Sequence, residues 1–123
     1  MILLDSSVWV DHLRSGDAGV SDVLENGSVL MHPFVLGEIA CGSLGKKRGE
    51  ILRLMSDLPQ GPVATDEEAL HFIDNNALMG RGVGYIDVHL LATVALAGAK
   101  LWTRDKRLAA IAAELKLAFA PAH

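Results

Sequence analysis

The chain begins MILLDSS (residues 1–7), in which four apolar residues run directly into Asp5, Ser6 and Ser7. A short apolar run that ends at a polar cluster is typical of a fully buried strand, so Asp5 is expected where a core strand reaches the surface. This position allows two explanations. Either Asp5 or Ser6 caps the following helix by accepting a hydrogen bond from a free backbone N–H, or Asp5 is one wall of a functional site.

The length and composition of the chain predict a single domain over residues 1–123. A chain of 123 residues can bury one core, and its hydrophobic fraction of 50% and mean hydropathy of +0.30 are high for that length. This apolar excess indicates a tightly filled interior and an apolar surface used for association. We therefore expect the protein to associate rather than to remain a lone monomer.

Cysteine content and hydropathy predict a cytoplasmic protein with no membrane segment. Cys41 is the single cysteine, so the chain can form neither an internal disulfide nor a cysteine-based zinc site. The longest apolar stretch, residues 88–99, spans 12 residues and includes His89. It is well short of the roughly 18 residues needed to cross a bilayer, and no signal peptide precedes it.

The formal charge of −4 argues against a simple basic nucleic-acid-binding protein. The charge is uneven, however, because seven of the eleven cations fall in two stretches: Lys46, Lys47, Arg48 and Arg53, then Arg104, Lys106 and Arg107. A solvated helix face is the simpler explanation of each stretch. Local basic patches nevertheless persist despite the negative total.

Strands and helices are expected to alternate along the chain, which predicts an α/β fold with a mostly parallel sheet of about five short strands flanked by helices. The apolar runs predict strands at residues 1–4, 28–31, 62–64, 100–103 and 117–120. Apolar periodicity, prolines and caps predict helices at residues 6–15, 19–25, 32–42, 46–58, 66–79, 85–97 and 104–115. The helix at 85–97 is apolar on every face and is therefore expected to be buried.

Four acidic residues are placed by this pattern near one edge of the sheet. Ligands of open α/β sheets bind beyond the carboxyl ends of the strands, where Asp5 and Asp105 are expected. Glu38 lies about a turn and a half into the helix that leaves the second strand, among apolar and small residues. Asp87 interrupts the apolar helix, so it must be solvated, paired or bound to a cation, unless it simply complements the positive helix N-terminus.

The four carboxylates together indicate a site for a divalent metal ion. Acids drawn from four segments to one edge would repel one another, and a divalent cation removes that repulsion. Carboxylates and water are the oxygen ligands that Mg²⁺ and Mn²⁺ prefer, and no cysteine or histidine cluster competes. Setting these four acids aside takes the formal charge from −4 to 0.

The chain resembles a PIN domain, and more narrowly the VapC group of bacterial toxin ribonucleases. The resemblance rests on DSSVW from Asp5, VLGEIACG around Glu38, GYIDVHLLATVAL around Asp87 and TRDKRL around Asp105. It implies a central parallel sheet between helices, an acidic pocket that binds Mg²⁺ or Mn²⁺, a homodimer, and a cognate antitoxin that inhibits the pocket. By position, the acidic quartet corresponds to Asp5, Glu38, Asp87 and Asp105, and the neighbouring hydroxyl groups to Ser6, Ser7 and Thr103.

We interpret these features as a metal-dependent endoribonuclease that cleaves RNA with metal-activated water, leaving a 5′-phosphate and a 3′-hydroxyl. The first three acids would hold the metal, while Asp105 positions water or a second ion. Ser7 and Thr103 could orient carboxylates, or serve in ordinary turns and caps. The candidate phosphate contacts are Arg81 and Arg104. His89, Trp9 and Trp102 are expected in the core.

Other classes of protein remain as alternatives. A non-catalytic α/β interaction module would use the same acids as caps and ion-pair partners, and predicts no specific effect of Mg²⁺ on stability. A receiver-type signalling domain would need paired acids after the first strand, where Asp5 stands alone. A haloacid-dehalogenase-type phosphatase would need an acid at residue 7, which is a serine.

Overall fold

A sheet of three short parallel strands lies at the centre of the structure, a computed structural model that describes residues 1–121. The central strand is buried along its whole length, as the apolar start of the chain predicts. Its residue Leu3 pairs with Leu30 on one side and Leu101 on the other. In sheet order the strands are β2 (Val29–Leu30), β1 (Ile2–Leu4) and β3 (Lys100–Trp102).

The expectation of about five strands was wrong, although the α/β class is confirmed. Residues 62–64 form no strand, and the preceding chain makes one isolated bridge, between Met31 and Gln60. Pro59 and Pro62 flank that bridge, and a proline has no backbone N–H with which to extend a ladder.

The second missing strand lies at residues 117–120, which make one bridge between Leu101 and Ala118. Lys116, directly before this segment, has a left-handed φ of 61°, and Pro121 follows it. Lys116 and Pro121 therefore limit the extended segment to the residues between them, which is too short to continue the pairing along β3.

Seven α-helices surround the sheet within the described residues. The helix expected at 66–79 ends at Asn75, because the chain turns at Ala77 with a φ of 51°. The helix expected from residue 46 begins at Arg48, after a 3₁₀ turn at Gly45–Lys47. The helices are α1 (Ser6–Ser15), α2 (Ala18–Glu25), α3 (Pro33–Ala40), α4 (Arg48–Ser56), α5 (Asp66–Asn75), α6 (Tyr85–Ala97) and α7 (Lys106–Glu114).

The core confirms the expected positions of the most apolar segments. Residues 88–94 of α6 are all buried, and this helix packs against β1 and β3. Trp9 and Trp102 are also buried, as expected of core aromatics. No helix in the described part of the chain is long and apolar enough to cross a membrane. Because the three strands are parallel, their carboxyl ends share one edge of the sheet, where the acidic residues are found.

Candidate active site

Asp5 caps α1, as one of the two explanations states, and also lies at the edge of the sheet. Its Oδ1 accepts hydrogen bonds from the backbone N–H of Ser7 at 3.0 Å and of Val8 at 3.4 Å. The Ser7 hydroxyl donates to the same oxygen at 2.5 Å, and the Thr103 hydroxyl donates to Oδ2. Asp5 is 6% exposed, so these donors stabilise a carboxylate that is nearly withdrawn from water.

Two hydroxyl groups connect Asp5 to the segment between β3 and α7. While donating to Asp5, Ser7 Oγ accepts from the backbone N–H of Arg104 at 3.0 Å. Thr103 Oγ1 likewise accepts from the N–H of Asp105 at 3.1 Å. The structure thus places the two predicted hydroxyls between Asp5 and the segment that carries the fourth acid.

Asp105 and Asp87 both lie at the beginnings of helices. Asp105 Oδ1 accepts from the backbone N–H groups of Arg107 and Leu108 at 2.9 and 3.1 Å, which makes it the N-cap of α7. Asp87 lies in the first turn of α6, and its Oδ2 accepts weakly from the Gly84 N–H at 3.4 Å. Burial raises the pKa of Asp87, the Gly84 hydrogen bond opposes that rise, and the negative charges of Asp105 and Asp5 add to it.

Glu38 on α3 faces the same group of acids. Partial burial raises the pKa of its carboxyl, and the neighbouring charge of Asp87 raises it further. A hydrogen bond from Ser6 lowers this pKa, while the charge of Asp5 again raises it. Glu38 and Ser6, predicted from the sequence as a candidate ligand and its hydroxyl neighbour, therefore lie together beside Asp5 and Asp87.

The four acids form one electrostatic group, and no ion pair in the described part of the chain engages any of them. The charges that raise the pKa values of Glu38 and Asp87 come from other members of the group, and no lysine or arginine contributes. Within residues 1–121, no three Asp, Glu, His or Cys side chains converge closely enough to hold a metal ion as they are placed. The donor set nevertheless fits Mg²⁺ or Mn²⁺, since it consists of carboxylate oxygens whose mutual repulsion a divalent cation would relieve.

The arrangement of acids around a parallel sheet corresponds to a known family. A model of the PIN domain family matches residues 2–114. The chain belongs to the PIN domain family. Ribonuclease VapC32 of Mycobacterium tuberculosis, in two strains, is 47% identical to this PIN domain over 121 residues, with 98% of this chain and 97% of the relative covered. The domain is therefore of the VapC type.

Solved structures share the fold of this PIN domain. The crystal structure of PAE2754 from Pyrobaculum aerophilum has a TM-score of 0.67 at 16% identity and covers 96% of this chain and 87% of its own. The structure of FitAB bound to an IR36 DNA fragment has a TM-score of 0.64 at 21% identity and covers 92% of this chain and 91% of its own. At such identities the likeness shows the fold alone.

The two arginines expected to contact phosphate are ion-paired in this PIN domain. Arg104 bridges two carboxylates of the α1–α2 region, Asp11 at 2.5 Å and Asp17. Arg81 Nη2 lies 3.0 Å from both carboxylate oxygens of Glu114 on α7. The nitrogen atoms engaged in these ion pairs would have to exchange a carboxylate for a phosphate in order to bind RNA.

Arg107, to which the sequence pattern assigns no individual role, lies against Gly82 in the PIN domain. Gly82 has a φ of 81°, and a Cβ atom built on it would lie 2.6 Å from Arg107 Nη1. The sequence feature that could have indicated this contact is Gly-Arg-Gly at 80–82. Sequence reasoning gave a role to Arg81 in this motif and none to Gly82.

Two buried histidines of the PIN domain, His32 and His89, lie outside the acidic group. His89 is buried, as expected, between the rings of Tyr85 and Phe34, and its Nε2 lies 3.6 Å from Asp66 Oδ1. Burial, together with the nearby His89, lowers the pKa of His32 to about 4. His32 is therefore neutral at physiological pH, where its Nδ1 accepts the Phe34 N–H and caps α3.

A groove of about 390 Å³ opens beside Glu38 between α1, α3 and α4. Its walls are mainly aliphatic, with Leu13, Ile39 and Ile51 among them, and Arg14 adds a positive charge. A chain lying in this groove would have direct access to the Glu38 carboxylate.

Proposed function

We propose that this PIN domain is a metal-dependent endoribonuclease that acts in the cytoplasm as the toxin of a bacterial toxin–antitoxin pair. The observation that carries this proposal is the group of four carboxylates, brought from four separate segments to one sheet edge and acting on one another electrostatically. The ribonuclease name of the 47% identical relative supports RNA as the substrate.

In this proposal Asp5, Glu38 and Asp87 hold Mg²⁺ or Mn²⁺, and Asp105 positions a water molecule or a second ion. The bound cation supplies an activated water and stabilises charge on the leaving oxygen. The chain's own contribution is orientation, since Ser7 and Thr103 fix both oxygens of Asp5, and Ser6 lies beside Glu38. The expected products carry a 5′-phosphate and a 3′-hydroxyl.

Arg81 and Arg104 are retained as proposed phosphate contacts. Both guanidinium groups are partly exposed, and surface ion pairs contribute little net free energy, about 0–1 kcal/mol each. A phosphodiester can therefore replace the carboxylate partners at modest cost. RNA binding would then release Arg104 from Asp11 and Asp17.

Two protein partners complete the proposal, a second copy of the chain and an antitoxin. Exposed aliphatic and thioether side chains on or beside α5 and α6 support the homodimer: Leu70, Met79, Ile86 and Leu96. The groove beside Glu38 is where we place the antitoxin segment, because its aliphatic walls suit a peptide and Glu38 is part of its lining.

Cleavage of total RNA by purified, antitoxin-free protein tests the proposal, with Mn²⁺, with Mg²⁺ and with chelator. Asp5→Asn is the informative variant, because asparagine still caps α1 while removing the charge. Asp22→Asn is the matched control, since Asp22 is an acid of α2 outside the group of four. Metal-dependent cleavage that is lost in Asp5→Asn and kept in Asp22→Asn supports the proposal. Folded wild-type protein that cleaves no RNA under any condition contradicts it and favours the interaction module.

A further inference from the structure

Arg107 occupies the space that any side chain at residue 82 would need. The position of a Cβ atom on Gly82 lies 2.6 Å from Arg107 Nη1 and 3.1 Å from its Cδ, so the guanidinium lies directly on the loop that precedes α6. The φ of 81° at residue 82 also favours glycine. Glycine therefore suits residue 82 in two ways. It adopts the positive φ without strain, and it leaves room for the Arg107 guanidinium.

The charge of Arg107 has no internal partner in the described part of the chain. The ion pairs among residues 1–121 engage Arg81 and Arg104 but not Arg107. Arg107 is exposed and lies in the first turn of α7, where the positive end of the helix disfavours a cation. Neither an acid of the fold nor the helix therefore stabilises this guanidinium.

Arg107 lies between the chain segments that carry Asp105 and Asp87. Its backbone N–H donates to Asp105, while its side chain reaches Gly82, two residues before the Gly84 N–H that Asp87 accepts. The side chain therefore extends from the segment of one acid to the segment of another. A cation here would reduce the repulsion between four carboxylates and an approaching polyanion.

We propose that Arg107, whose guanidinium lies against Gly82, binds a backbone phosphate of the RNA next to the one that is cleaved. This inference rests on the proposed ribonuclease function. A guanidinium can bind two phosphate oxygens at once, and Arg107 needs no exchange of partners to do so, unlike Arg81 and Arg104.

Salt-dependent RNA binding tests this role. A short fluorescently labelled single-stranded RNA is titrated with the full-length protein carrying Asp5→Asn, which prevents cleavage, and anisotropy is read over a range of salt concentrations. Adding Arg107→Gln is expected to weaken binding about tenfold and to reduce the slope of log K against log salt by about 0.7. Arg107→Lys should keep the slope and lose part of the affinity. Lys116→Gln, which removes one charge beyond the other end of α7, should change neither.

Gly82→Ala provides a second, independent variant. Its methyl group would overlap the Arg107 guanidinium, which must move aside, so RNA affinity should fall by no more than in Arg107→Gln, with little further loss when the two changes are combined. An unchanged salt slope in Arg107→Gln, in a protein whose wild type cleaves RNA, would overturn this inference and leave the proposed function standing. Wild-type protein that neither binds nor cleaves RNA would overturn both.

Discussion

The Thr103 hydroxyl donates a hydrogen bond to Asp5 Oδ2 across 98 positions of the chain. This bond joins the carboxyl end of β3 to that of β1, and it fixes the oxygen of Asp5 that the α1 cap does not use. It gives the nearly buried Asp5 a single orientation toward the edge where Asp87 and Glu38 lie.

Thr103→Val is expected to lower RNA cleavage by about 10- to 100-fold, the usual effect of removing a group that orients a metal ligand. Valine keeps the shape of threonine but cannot donate to Asp5. Thr103→Ser is the control, since serine retains the hydroxyl and should retain most of the activity. Measured rates at saturating Mn²⁺ check the prediction, and equal losses in the two variants would contradict it.

Glu38→Gln and Asp87→Asn are expected to stabilise the metal-free protein at pH 7 while abolishing cleavage. The pKa values of both acids are raised on folding, mainly by burial, so the folded chain binds more protons than the unfolded chain above their ordinary pKa values. The free energy of unfolding therefore falls as pH rises through that window, and the neutral variants avoid this loss. Thermal unfolding should show a higher Tm at pH 7 and no gain below about pH 4, where the wild-type acids are also neutral. A lower Tm at pH 7 in both variants would show that these carboxylates do not repel one another.

Asp11→Asn tests whether Arg104 is available to RNA. Removing one of its two carboxylate partners should tighten RNA binding, because less competition remains for the guanidinium, and should cost at most about 1 kcal/mol of stability.

Arg104→Ala should weaken RNA binding and flatten its salt dependence while leaving Mn²⁺ affinity nearly intact. Equal losses of RNA and metal binding in Arg104→Ala would instead make this arginine a support for the acidic group.

Asp5→Ala and Asp5→Asn should separate the two roles of this residue. Alanine removes the cap of α1 and is expected to cost about 1 kcal/mol of stability, whereas asparagine keeps the cap. Both changes should abolish metal-dependent cleavage. A variant Asp5→Asn that unfolds as readily as Asp5→Ala would contradict the separation.

The sequence is most informative where the physical cause is local. The apolar run before Asp5, the capping box of Thr65 with Glu68, and the all-round apolar pattern of α6 each depend on a few neighbouring residues, and the structure shows all three. The prediction of the two weak edge segments was wrong because the apolar pattern of a strand does not reveal whether the chain on either side permits a ladder.

Long-range side-chain contacts cannot be predicted in the same way. Arg104 meets acids 93 and 87 positions away, and Arg107 packs on Gly82, so neither contact leaves a pattern in its own segment. The acids are an exception, because parallel strands bring their carboxyl ends to one edge, so the predicted parallel sheet is enough to place the segments of Asp5 and Asp105 at that edge.

Direct titration with Mn²⁺ tests the central claim, that the four carboxylates form one divalent-metal site. Antitoxin-free protein is titrated at pH 7 alongside Asp87→Asn and the surface control Asp22→Asn, with bound Mn²⁺ read by electron paramagnetic resonance. We predict saturable binding in the wild type and in Asp22→Asn, and its loss in Asp87→Asn. Equal, non-saturating binding in all three proteins would contradict the claim and leave Asp5 and Asp105 with the role of helix caps alone.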